Sequence, residues 1–100
     1  MLGLTKTLSN ELAEYGILVN AVCPGWTLTD RVKRLAQSKA DKTGQDPDVI
    51  ISEWARSIAL NRMAQPEEIA NLVVFLASEK ASYITGAVMQ VDGGAIKSLV

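Results

Sequence analysis

Two short apolar runs, residues 17–23 and 87–91, each end at a glycine-bearing turn, and the chain between them is patterned for helix, not strand. Strands joined by a tight turn pair antiparallel. Two strands separated by a long helical connection lie side by side as parallel neighbours, with the connection crossing the sheet right-handedly. The first run has a β-branched centre and stops at Pro24-Gly25; the second stops at Asp92-Gly93-Gly94. The order helix, strand, helices, strand predicts an α/β fold around a parallel pair.

Local signals place the helices. Leu4, Leu8 and Leu12, with Ala13 and Tyr15 beside them, follow helical spacing, and Gly16 is placed as a left-handed C-terminal cap. Met1-Leu2-Gly3 offers no capping side chain, so the chain is expected to start inside a helix. After the first strand, Thr29 or Asp30 can cap a short helix carrying Val32, Leu35 and Ala36 that runs out near Lys39, followed by a polar loop over residues 40–45. Asp46-Pro47 opens a second amphipathic helix with Val49, Ile50, Trp54, Ala55 and Ile58. Gln65-Pro66-Glu67-Glu68 opens a third, with two acids at the positive end of its dipole and Ile69, Leu72, Val73 and Leu76 along it. Residues 78–86 form the loop into the last strand.

This organisation exposes a physical problem. Parallel strands need both faces covered and neighbours along their edges, yet only two strands are supplied, so an apolar edge is left open. With the uncapped first helix, this predicts the end of a longer chain or part of a complex. With 48% hydrophobic and 21% charged residues the chain is globular in character, not disordered. A net charge of −1 gives no reason to expect a nucleic-acid partner. The basic residues Arg31, Lys33, Arg34, Lys39 and Lys42 are interrupted by Asp30 and Asp41 and read as a solvated helix face. One cysteine and no histidine exclude an internal disulfide and argue against the usual metal sites. Cys23 then reads as a small buried hydrophobe, since no histidine can activate it, and a reducing, cytoplasmic setting is expected. No run approaches a membrane span.

The string Asn20-Ala21-Val22-Cys23-Pro24-Gly25, completed by Thr29 and later by Val91-Asp92-Gly93-Gly94, resembles the late part of the short-chain dehydrogenase/reductase family over residues 1 to about 94. The tails of 3-oxoacyl-acyl-carrier-protein reductases and sugar dehydrogenases look alike here. The resemblance implies the C-terminal part of a Rossmann-like doubly wound parallel sheet, incomplete on its own: one partial domain over residues 1–100, with residues 30–64 as a lid over the substrate. It implies NAD or NADP as cofactor in the intact enzyme, a small carbonyl or alcohol substrate, and a homo-oligomer. The main chain around Pro24, Gly25 and Thr27 would hold the nicotinamide and its carboxamide, and Thr29 would hydrogen-bond the carboxamide or the pyrophosphate. Many relatives carry an apolar β-branched residue where Thr27 stands, which keeps the backbone contact. Trp26 would border the substrate pocket; equally, it could be packed under the two short helices. Val49, Ile50 and Trp54 could line the lid but read first as core. Asn20 and Asp92 are read as structural hydrogen-bonding residues, Gly93 and Gly94 as shape residues, and Gly86 as the glycine leading into the last strand.

Other family parts are missing from the sequence. Tyr15 is followed four residues on by Val19, and Tyr83 by Ala87, so neither forms the Tyr-x-x-x-Lys pair. No glycine-rich phosphate loop occurs, and Lys6 has no tyrosine four residues before it. No catalytic residue is therefore assigned in this chain, and the catalytic pair is expected just before Met1. The first reading is the C-terminal segment of an NAD(P)(H)-dependent oxidoreductase, inactive alone. The second is a non-catalytic module that self-associates or pairs with a full-length relative.

Overall fold

A computed structural model describes residues 2–95. The first helix, α1 (Leu2–Leu12), continues as a 3-10 turn over Ala13–Tyr15 and is closed by Gly16 at φ 73°, whose N–H bonds the Ala13 carbonyl. The expected lack of a cap at its start rests partly on Met1, outside the described residues. Strand β1 (Ala21–Pro24) pairs in parallel with β2 (Val88–Val91), in the register Ala21 with Val88 through Pro24 with Val91. Between them run α2 (Asp30–Thr43), α3 (Pro47–Trp54) with a 3-10 turn at Ala55–Ser57, and α4 (Pro66–Leu76) with a 3-10 turn at Glu79–Ala81. The α/β class and the parallel pair predicted from the sequence are what forms.

Three boundaries differ from expectation. Strand β1 begins at Ala21, not Ile17; the preceding residues are tied to the loop before β2, where the Val19 N–H donates to Thr85 Oγ1 at 3.0 Å and the Val19 carbonyl accepts from the Gly86 N–H at 2.7 Å. Helix α2 does not run out near Lys39. Residues 40–43 are its last turn, because Ala40 is buried and Gly44 at φ 75° supplies the stop. Helix α3 ends as α-helix at Trp54 and tightens to 3-10 before Ile58.

The core is small and lies away from the sheet. Ala36 and Ala40 of α2 enclose Ile50 of α3, which has no exposed surface, with Ile51 and Trp54 packed against them. A second cluster, Ala55, Ile58 and Met63, takes in Leu28, Val32, Ile51, Trp54 and Ala95. Two apolar stripes read from the sequence are only partly covered, with Leu8 and Leu12 of α1 half-buried and Val32 and Ala36 of α2 in the core. On α1 the buried residues are Thr5 and Ser9, while Leu4 is 61% exposed, and on α2 Leu35 is exposed. Helix α4 buries no residue fully and leaves Val73, Val74 and Phe75 open. Leu18, Asn20, Val22, Val73, Leu76 and Ala77 line a groove of about 240 Å³ between β1 and α4.

Candidate functional site

The site sits where both strands end. Register brings Pro24 level with Val91, and the Gly25 N–H donates to the Val91 carbonyl at 3.0 Å. The donors of β1 that face β2 alternate, Ala21 before and Gly25 after, so the N–H that Pro24 lacks is missing from the opposite edge of β1 and costs this ladder nothing. Gly25 then lies against Asp92 so closely that a Cβ there would sit 2.8 Å from the Asp92 Cβ and 2.9 Å from its Cα. Only a residue without a side chain fits between the two strand ends.

Beyond Gly25 the turn is held by its own bonds. The Thr27 hydroxyl donates to the Gly25 carbonyl at 3.1 Å, and the Thr29 N–H donates to the Thr27 carbonyl at 2.8 Å. The Ala64 N–H donates to Trp26 O at 3.0 Å and the Leu28 N–H to Ala64 O at 2.8 Å, so the segment before α4 clamps the turn from the side. The Thr27 N–H makes no hydrogen bond among the described residues. Thr29 is the N-cap of α2, its hydroxyl accepting from the Val32 N–H at 3.3 Å. Pro24, Gly25, Thr27 and Thr29 therefore form one continuous edge from strand end to helix start, with an unused backbone donor in the middle. This is the place in an open α/β sheet where ligands bind.

Trp26 is 43% exposed, and its ring stacks on that of Trp54 with centroids 5.7 Å apart and planes at 22°. The Lys39 ammonium lies over the Trp54 ring, 5.9 Å from its centroid. Trp26 is packed against Trp54 of α3 on one side and open to solvent on the other. Of the lid candidates, Ile50 is core, Val49 is 47% exposed, and Trp54 is half-buried under Trp26.

Asn20 bridges the two chain segments ahead of the strands: its Nδ2 donates to the Ile84 carbonyl and its Oδ1 accepts from the Ala87 N–H, both at 3.0 Å. Asp92 Oδ1 accepts from the Gly94 N–H at 3.0 Å. Gly93 and Gly94 fold back on the segment after α3, where Gly93 O accepts from the Leu60 N–H at 2.9 Å. Gly86, at φ 73°, packs on Ser9 of α1.

Sequence reasoning missed the ion pair that sets the start of α4. Arg62 donates through both Nη atoms to Glu68, at 2.7 and 2.9 Å, and Glu68 Oε1 also accepts from the Gln65 N–H at 2.9 Å. The usable signal was Glu68 three residues after Gln65, the capping-box spacing. The Arg62 hydrogen bonds, followed by the Gln65 N–H, hold the Glu68 carboxyl down at about 2, and the Arg62 guanidinium is raised in turn. A carboxylate with a depressed folded-state value contributes stability that is full above its unfolded value and is lost as pH falls toward its folded one. Both side chains are well exposed, which keeps the contribution small and salt-sensitive. In an acid titration followed by NMR, the Glu68 carboxyl is expected to protonate well below the ordinary glutamate range; a midpoint within that range would show the pair does not persist in solution.

Among the described residues, no group of three or more potential ligands could hold a metal ion, and no helix is long and apolar enough to cross a membrane.

Comparison with known proteins gives this geometry a context. Residues 1–95 match the family model described as Enoyl-(Acyl carrier protein) reductase. The chain is 44% identical over 95 residues to Oxidoreductase UcpA of Salmonella typhimurium, covering 94% of this chain and 35% of that protein. It is 44% identical over 94 residues to the 3-oxoacyl-[acyl-carrier-protein] reductase FabG of Aquifex aeolicus, covering 94% and 34%. The crystal structure of L-sorbose reductase from Gluconobacter frateurii, complexed with NADPH and L-sorbose, superposes with a TM-score of 0.92 at 36% identity, over 98% of this chain and 38% of that one. The chain thus spans about a third of the length of the relatives it matches.

Proposed function

The chain belongs to the short-chain dehydrogenase/reductase family, and from that premise we propose that it is the C-terminal segment of an NAD(P)(H)-dependent oxidoreductase that interconverts a carbonyl and an alcohol. The observation that carries this reading is the continuous edge from Gly25 to Thr29, which ends one strand, closes against the other at Asp92, and presents a free Thr27 N–H beside the N-terminus of α2. NAD or NADP, when bound, supplies or accepts the hydride. The flat ring and carboxamide of a nicotinamide fit the edge, because Gly25 leaves its backbone bare and the Thr27 N–H can donate to a carboxamide oxygen. Thr29, whose hydroxyl hydrogen has no acceptor among the described residues, can donate to the carboxamide or the pyrophosphate while its oxygen caps α2. Pro24, the last residue of β1, leads into the edge and fixes its own φ there. Residues 30–64 would form the lid, with Trp26 at its base, in a cytoplasmic enzyme.

The proton-moving Tyr-x-x-x-Lys pair and the phosphate loop are absent from this sequence, so the segment alone should show no turnover. In an intact enzyme of this kind they would be supplied by the length of the relatives that this chain does not span. The exposed Leu4 of α1 and the apolar groove along β1 are surfaces such a part could cover. Those same surfaces support the second reading, a non-catalytic module that self-associates or pairs with a full-length relative, and the homo-oligomer proposed for the intact enzyme.

One experiment separates the readings. Residues 1–95 replace the matching segment of the Aquifex 3-oxoacyl reductase, and carbonyl reduction is assayed with NADH and NADPH beside the isolated chain. The oxidoreductase reading expects turnover only in the chimera, with KM for the cofactor raised about tenfold by Thr29→Ala, as loss of one net hydrogen bond implies. A folded but inactive chimera, with an isolated chain that sediments as a defined oligomer, would favour the module.

A further inference from the structure

Trp26 and Trp54 are the only tryptophans in the chain. They come from opposite ends of the α2–α3 region and meet as an offset stack. Trp54 is held on its own side by the Ala36, Ala40 and Ile50 cluster. It leaves 43% of Trp26 exposed. The exposed indole forms a wall of an open concavity of about 430 Å³ whose other lining residues are Gly25, Thr27 and Val32. Two of those are the residues of the cofactor edge, and none of the four carries a charge. A molecule lying next to a nicotinamide at this edge therefore meets a bare backbone on one side and a braced aromatic face on the other.

We propose that Trp26, braced by Trp54, is a stacking platform that selects a carbonyl substrate bearing a flat apolar ring beside the reacting carbonyl. This substrate class rests on the oxidoreductase reading above, but the platform itself requires no cofactor to bind its ligand. An indole face attracts an aromatic or alicyclic ring by dispersion and by its quadrupole over the whole ring area, whereas an open-chain ketone must surrender chain rotations to lie flat on it. Bracing matters because an unsupported tryptophan would have to be ordered at the moment of binding; here Trp54 and the Lys39 ammonium over its ring have already ordered it. Trp26 is thus a substrate-contacting residue, and Trp54 a positioning residue acting through it.

The test uses the chain as it is, without cofactor. Indanone and an open-chain nonanone of equal carbon count are titrated separately into the isotope-labelled chain, and amide shifts are followed. Indanone is expected to move the amides of Gly25, Thr27 and Val32, and to bind roughly two- to twelvefold more tightly than the nonanone, the range that a ring contact beyond area burial supplies. Trp26→Leu should abolish that preference, Trp54→Ala should weaken indanone binding, and Trp54→Phe should restore it while a merely structural loss would not discriminate between the two ketones. Equal affinity for both ketones, shifts confined to the Leu18 and Val73 groove, or no shift up to the solubility of indanone would each overturn the proposal. If the variants fail to fold, the two-ketone comparison on the unaltered chain still decides. Failure here with an active, cofactor-dependent chimera would sink the platform and leave the oxidoreductase reading standing.

Discussion

An alanine at position 94 is expected to destabilise the protein by about 2–5 kcal/mol, the sum of a left-handed backbone that L-residues resist and a contact that cannot relax. Gly94 sits at φ 87°, and a Cβ there would lie 2.6 Å from the Ala59 Cβ, well inside van der Waals contact. Ala59 cannot retreat easily. Its neighbour Ile58 is a buried member of the second core cluster, and the Leu60 N–H is bonded to Gly93 O. Two other glycines separate the contributions. Gly44 has a similar φ of 75° with nothing within 4 Å, so Gly44→Ala should lose only the conformational part, about 1–2 kcal/mol. Gly25 has no left-handed backbone but meets Asp92, so Gly25→Ala should lose the steric part alone, about 1–3 kcal/mol. Urea midpoints of the three variants should rank Gly94 below Gly25 and Gly44. A Gly94 variant no worse than Gly44→Ala would mean that the turn after β2 does not press on residue 59. The ranking bears on the site, because that turn holds the segment leading to Ala64, and Ala64 clamps the backbone of Trp26 and Leu28.

The parts of this fold that could be read from the sequence are those fixed by chemistry within a few residues. Asp46-Pro47 and Gln65-Pro66 mark the starts of α3 and α4 because a capping side chain and a proline act on the next turn, whatever lies elsewhere. Gly16 and the Pro24-Gly25 stop are local in the same sense. Errors arose where a distant partner decides. Residues 40–43 look like loop by composition, yet α2 continues through them since Ala40 packs with Ile50. The run from Ile17 looks like strand, yet Val19 and Asn20 are committed to the loop around Thr85 and Gly86. The leucine stripe of α1 has helical spacing, and that spacing correctly gave a helix; it carried no information about what would cover the stripe. The site divides along the same line. The edge from Pro24 to Thr29 is contiguous in sequence and was legible as a strand end running into a helix cap. The Trp26–Trp54 stack and the Ala64 clamp depend on tertiary approach, which no periodicity encodes.

Truncating Ile50 to alanine should have an effect of comparable size, about 2–5 kcal/mol, because a fully buried aliphatic side chain leaves both lost transfer energy and a cavity. The upper half of that range is the more relevant here. Its buried neighbours Ala36 and Ala40 have only methyl groups with which to fill the space, so any collapse must draw on Ile51 and Trp54, which the second cluster and Trp26 also hold. Val49, one residue earlier and 47% exposed, supplies the control: Val49→Ala should shift the urea midpoint by no more than about 0.5 kcal/mol equivalent, as for an ordinary surface change. The consequence reaches the site through one chain of contacts. Ile51 and Trp54 pack on the Ile50 cluster, and Trp54 stacks on Trp26, so loosening α2 from α3 should let the two indoles part. Because they are the only tryptophans, their near-UV circular dichroism reports that stack directly. Under conditions where Ile50→Ala remains mostly folded, the aromatic signal should fall while the helical signal is largely kept. An Ile50 variant that keeps the full aromatic signal would show that Trp54 is held by Trp26 and the second cluster, and that the first core contributes stability without positioning the platform.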